Sequence, residues 1–222
     1  RTFWQVTKST ARSVLSSAPL AMAALALCAS APAPLPTSAA ILHERRAALA
    51  ALHVVQPDRL EIAGTLVGLD LRGTFHSWQD GADQRFDERL GWRHDSTILV
   101  GDKEYVVNAS GDVRELTGSL ARRQISQNFI FGDDFTREPQ YSTVTGDATL
   151  PDGRAVVELR VAPPGGDVET VDLDARSFDV DRVTYVDGDG FEADTYSDYR
   201  VVDGAEVAYR EVSSNGDTAY DQ

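Results

Sequence analysis

A mainly β fold of the α+β class is predicted: a strongly curved antiparallel sheet, a half-barrel of about eleven strands, with two helices on its concave face. Two observations carry this expectation. From Ala155 to Val212 apolar and polar residues alternate almost without a break, which is the period of a strand with one buried face. The alternation is punctuated by Pro-Gly-Gly, Asp-Gly and Asn-Gly, the residues that tight hairpins need.

The elements follow in order. Leu42, Leu49 and Leu52 recur at near-helical spacing in an Ala-rich run, and Gln56-Pro57-Asp58 ends it, so a first helix is predicted over 42–54. From Leu60 the period becomes two, with Leu60 and Ile62 on one strand and Leu69, Leu71 and Phe75 on the next. D-G-A-D at 80–83 closes that hairpin. Residues 84–92 and 97–107 continue the sheet, the latter folded at Gly101-Asp102 with Tyr105 and Val107 inward. Asp112 followed by Glu115 fits a capping box, and Val113, Leu116, Leu120, Ile125 and Phe129 form an apolar stripe. A second helix is therefore predicted over 113–129. Residues 130–140 read as an irregular connection, and strands resume from Tyr141.

Residues 1–40 hold no Asp or Glu, carry Arg1, Lys8 and Arg12, and pass through an apolar run to a Pro-rich stretch and Ser38-Ala39-Ala40. That is the pattern of a cleavable signal peptide. Its apolar core is shorter than the ~20 residues of a membrane-spanning helix. Leu27 before Cys28 argues against lipoprotein anchoring, because a lipobox has a small residue there. Residues 41–222 then form one domain, periplasmic or secreted, with no stable membrane span after signal cleavage. Arg1 at the start, and T-A-Y-D-Q at the end reading as a strand just begun, lead to the expectation that the chain is truncated, at the C-terminus as well. With 35 acidic against 21 basic residues and a net charge of −14, the surface repels phosphate backbones, which excludes nucleic acid as a partner.

Reaction chemistry is not visible. The histidines His43, His53, His76 and His94 have no metal-ligand spacing, and no metal or cofactor is expected. V-D-G-D-G-F-E-A-D at 186–194 resembles a calcium loop, but Phe191 stands where an oxygen ligand is required, so a hairpin turn is predicted instead. Asp133-Asp134 reads as a solvated loop. No nucleophile elbow, phosphate loop or aspartic-protease Asp-Thr-Gly occurs, and the chain is read as not an enzyme. What remains is apolar surface. A curved sheet with only two short helices leaves part of its concave side unfilled, a place for an acyl chain or lipid. The expected lining is Phe75, Trp92, Phe178, Val180, Tyr199 and Val207, with Leu120, Ile125 and Phe129 as a helical lid.

The order of elements carries a resemblance. G-T-L-V-G-L-D-L-R-G at 64–73, N-A-S-G-D-V-R-E-L-T-G at 108–118, D-G-R-A-V-V-E-L-R-V-A-P-P-G-G at 152–166 and T-Y-S-D-Y-R-V-V-D-G-A-E-V-A-Y-R at 195–210 follow one another as in a known domain. The chain resembles the outer-membrane lipoprotein-carrier-like half-barrel, in the variant found N-terminal to exported bacterial retropepsin-like aspartyl protease domains. The resemblance implies a periplasmic domain with a lipid-compatible cavity and no catalytic residue of its own. The functional expectation is a non-catalytic domain that binds a hydrophobic small molecule, lipid or lipidated protein. Two alternatives stand beside it: an accessory domain of a secreted aspartyl protease whose catalytic domain lies beyond residue 222, and a structural envelope domain with a filled core.

Overall fold

The computed structural model describes residues 35–55, 57–68, 70–81, 83–101, 103–187, 190–214 and 219–221. The expected signal peptide with Cys28, and the expected roles of Gln56 and Leu69, lie outside these residues. Thirteen strands are present among them, in two antiparallel meanders. The first runs β1 (Arg59–Gly68), β2 (Leu71–Asp80), β3 (Asp83–Leu90), β4 (Arg93–Val100), β5 (Lys103–Val107) and β6 (Val113–Glu115). The second runs β7 (Ser142–Thr149), β8 (Ala155–Val161), β9 (Glu169–Asp174), β10 (Val180–Asp187), β11 (Gly190–Val202) and β12 (Ala205–Ser214). A short β13 (Ala219–Asp221) joins them, pairing with β12 over Val212–Ser214 and with β1 at Val67. The sheet begins at β6 and ends at β7, so it is a curved half-barrel that does not close.

Helix α1 (Ser38–Ala51) is capped by the Thr37 hydroxyl, which accepts from the Ala40 N–H. It starts earlier than predicted, so the expected signal-peptide boundary falls within its first turn. Helix α2 (Ser119–Phe131) starts later. Val113–Glu115, read from sequence as a helix start, is strand β6 paired with β5. The β-branched Val113 and the backbone partner offered by Val107 outweigh the local capping pattern. The connection from 130 to 140 is ordered as a short α3 (Asp134–Arg137) and a 3-10 turn at Pro139–Tyr141. In the β4–β5 hairpin, Glu104 is buried while Tyr105 and Val107 are half-buried, the reverse of the expected facing.

The filled core belongs to the second meander. Leu42 of α1, Phe129 and Ile130 of α2 and Phe135 of α3 pack on Val144, Leu159, Val171, Leu173 and Val183. Register then shows which face of the first meander continues this side. Val67, Asp221 and Val212 stand level across the junction, so Val67 and Val212 share one face, and Leu66 and Glu211 the other. Glu211 pairs with the core residue Tyr196. The helix-bearing side of β1 is therefore that of Leu60, Ile62, Gly64 and Leu66, and cross-strand pairing adds Phe75 and Phe86.

Candidate functional site

That shared face is covered unequally. The helices pack on the second meander, whereas Leu60, Ile62, Phe75, Phe86, Leu99 and Val106 on the first remain half-buried. Gly64 sits opposite Phe75, and a Cβ at Gly64 would stand 2.3 Å from the Phe75 ring. The glycine thus lets the ring lie flat across β1. Phe75 in turn stacks on Phe86 at 5.6 Å between centroids, giving a continuous apolar strip.

The strip leads into a cleft of about 700 Å³ where the two meanders meet. Its β1 wall is Arg59–Thr65 and its β12 wall includes Ala205, Val207, Ala208, Tyr209 and Glu211. Phe75 reaches in from β2, and Pro57, Val202 and Asp203 close one end. The lining combines aliphatic and aromatic side chains with almost as much polar surface, including carboxylates at Glu61, Asp203 and Glu211. Burial pushes Glu211 up to about 7, so near neutrality this wall is only partly charged. Such a mixture suits an apolar ligand body with a small polar end.

The nine residues expected from sequence to line the cleft fall in several places. Phe75 and Val207 meet in the 700 Å³ cleft. Tyr199 lines a smaller one of about 420 Å³ against Ala48 and Leu49 of α1 and Leu52 just after it, and its hydroxyl donates to the Val180 carbonyl at 2.6 Å. Val180 and Phe129 are in the filled core, Phe129 standing edge-on to Tyr141 at 5.9 Å. Phe178 has a positive φ of 63° in the β9–β10 turn, and its carbonyl accepts from Arg45. Trp92 is 87% exposed at the β3–β4 turn. Leu120 and Ile125 are exposed on α2. The helix instead buries Ser126, Phe129 and Ile130, with the Ser126 hydroxyl donating to the Asp167 carbonyl at 2.6 Å. Leu60, Ile62, Ala63, Ala205 and Ala208 were not singled out by sequence as cleft residues. The signal available was Gly64 in an otherwise regular alternation, which marks a close approach.

Several charged groups outside the cleft have structural partners. Arg45, buried on α1, donates to Asp133 at 3.1 Å and to the Phe178 carbonyl at 2.6 Å, and faces Glu206 at 3.7 Å. Asp134 pairs with Arg137. β10 and β11 pair as an antiparallel hairpin out to Asp187 and Gly190, as predicted from sequence, and Glu192 just beyond accepts from Arg123 at 2.9 Å. Arg123 also lies over the Tyr185 ring at 4.1 Å, fixing α2 to the sheet. Among the described residues no group of three or more His, Cys, Asp or Glu side chains is gathered as metal ligands would be.

An open half-barrel with helices on part of one face defines the class of scaffold. Solved structures share this fold, two among them as follows. A DUF1329 family protein from Desulfovibrio piger aligns over 83% of this chain and 88% of its own, with 14% identity and a TM-score of 0.52. A LolA superfamily protein from Nitrosomonas europaea aligns over 84% of this chain and 90% of its own, with 12% identity and a TM-score of 0.54. The chain therefore has a LolA-like fold. No family model and no curated protein matches it.

Proposed function

We propose that this chain is an exported, non-catalytic binding domain that holds a hydrophobic ligand, an acyl chain or lipid, free or carried by a protein, in the cleft between its two meanders. The observation that carries this reading is the 700 Å³ cleft continuous with the half-buried strip of Ile62, Phe75 and Phe86. Large apolar side chains left half-covered on the helix-bearing face of a sheet mark a binding surface more than a packing defect. The LolA-like fold of the chain is in keeping with it. So is the leader expected from sequence, which places the domain in the periplasm or outside the cell. No helix among the described residues is long and apolar enough to cross a membrane.

The test is titration with a fluorescent fatty acid. Wild-type protein gives saturable enhancement, and Phe75→Ser weakens it at least about tenfold, the equivalent of losing one well-packed aromatic contact. Leu120→Ser, on the exposed side of α2, leaves it unchanged. Equal binding by all three proteins, or none by wild type, refutes the reading.

A further inference from the structure

We propose that the 420 Å³ cavity beneath the end of α1 is a second binding site, separate from the larger cleft, for a small primary ammonium on a short aliphatic stem. Glu206 and Asp179 hold the ammonium, and the stem lies on Leu49, Leu52 and Val201.

Protein interiors close-pack, so a gap of this size needs its walls pinned apart. Helix α1 is pinned on both sides of it. Arg45, one turn before Ala48 and Leu49, ties the helix to Asp133 at 3.1 Å and to the Phe178 carbonyl at 2.6 Å. Past the helix, the Val55 N–H donates to the Gly204 carbonyl in the β11–β12 turn at 2.8 Å. A Cβ at Gly204 would stand 2.9 Å from Val55, so only glycine lets the two segments come this close. Between these anchors the helix lines the cavity with Ala48 and Ala51, whose short side chains leave the space beneath unfilled. The floor is fixed as well, because the Tyr199 hydroxyl donates to the Val180 carbonyl at 2.6 Å.

Charge decides the ligand. The lining is mainly apolar, and its charged members are Glu206, Asp179 and Arg200. Arg200 pairs with Asp198 at 2.6 Å and lies over the Tyr209 ring at 4.2 Å. Arg45 spends its shorter contacts on Asp133 and Phe178 and reaches Glu206 only at 3.7 Å, too long for a hydrogen bond. Yet the Glu206 side chain is nine-tenths buried. Burial, against the pull of Arg45 and with the carboxylates of Asp179 and Asp133 adding to it, pushes Glu206 up to about 7. A cation with N–H donors beside Glu206 supplies what its ionised form lacks, whereas an anion adds to the repulsion. Among the described residues no third His, Cys, Asp or Glu joins these two carboxylates as a metal ligand would. An organic ammonium fits both the carboxylates and the aliphatic wall.

The probe is hexylammonium, compared with hexanol and hexanoate near neutral pH, with backbone amides of the whole chain followed by NMR titration. Hexylammonium gives saturable shifts at 48–52 and 199–206 and binds there at least about tenfold more tightly than hexanoate, the effect of one charge-assisted hydrogen bond. Glu206→Gln removes that preference and leaves hexanol unchanged. Ala48→Met, which fills the cavity, abolishes binding of all three, while Phe75→Ser still binds hexylammonium as wild type does. Equal affinity for hexylammonium and hexanoate overturns the proposal, as does a folded Ala48→Met that binds like wild type. Shifts confined to the larger cleft and lost in Phe75→Ser put the amine there and overturn a separate site. Wild type without saturable shifts overturns it too.

Discussion

Replacing Arg45 with methionine separates the electrostatic role of this side chain from its packing. The Arg45 side chain is 8% exposed, that of Asp133 21% and that of Glu206 10%. Three acceptors, at the N-cap of α3, on β12 and in the β9–β10 turn, converge on it, and its planar group lies 5.8 Å from the Phe135 ring. Removing one partner of a buried ion pair costs about 3–5 kcal/mol, because the remaining charge stays desolvated. Two features pull the value toward the lower end. Asp133 keeps the Thr136 hydroxyl at 2.6 Å. Glu206, already pushed up to about 7 by burial, escapes part of the penalty by taking a proton. The expected loss is about 3 kcal/mol at pH 7.5, or roughly 6–12 °C in Tm for a domain of this size. Urea denaturation followed by circular dichroism measures it. Adding Glu206→Gln to Arg45→Met recovers about 1 kcal/mol or more, since the orphaned carboxylate is removed. A single-mutant loss below about 1 kcal/mol refutes the buried-hub argument.

Other predictions concern pH and glycine. Burial pushes Glu169 up to about 8 and Glu104 up to about 7, and both carboxylates lack a hydrogen-bonding partner among the described residues. In such groups the folded state holds its proton to higher pH than the unfolded chain. Stability is then fully present below about pH 4.5 and declines as pH rises through 7 to 8. Chemical denaturation at pH 5 and pH 8 shows the chain less stable at pH 8, and Glu169→Gln lessens the difference; stability that rises over this interval contradicts the assignment. Gly73→Ala costs more than Gly64→Ala, because the new Cβ meets the Arg89 carbonyl oxygen at 1.8 Å rather than the movable Phe75 ring at 2.3 Å. Overpacking of this kind costs about 1–3 kcal/mol or more, and thermal melts reverse the argument if Gly64→Ala is the worse of the two.

Much of the strand order was legible because a single physical signal, period-two burial, runs through it. The hairpins at 80–83 and 187–190 follow from their Asp-Gly residues, and β8, β10, β11 and β12 from alternation. What alternation cannot carry is which face another element covers. Leu60 and Ile62 read as ordinary inward residues, yet the helices land on the second meander and leave these two beside a cleft. Val113–Glu115 misled because a local capping pattern competes with a backbone partner, Val107, that only the fold brings near. Val180 reads from sequence as cleft lining and Phe129 as part of a helical lid, yet both sit in the filled core. Arg45 and Asp133, 88 residues apart, had no local signature linking them. Gly64 and Gly73 are the opposite case: they stand within the segment that carries the family resemblance, and both sit where a Cβ has no room.

The central claim is that the cleft beside Phe75 holds a hydrophobic ligand, and native mass spectrometry of the chain purified from an envelope fraction tests it most directly. A ligand held there gives a mass adduct that organic extraction identifies as an acyl lipid and that Phe75→Ser abolishes. An adduct-free protein that also takes up no added fatty acid would contradict it.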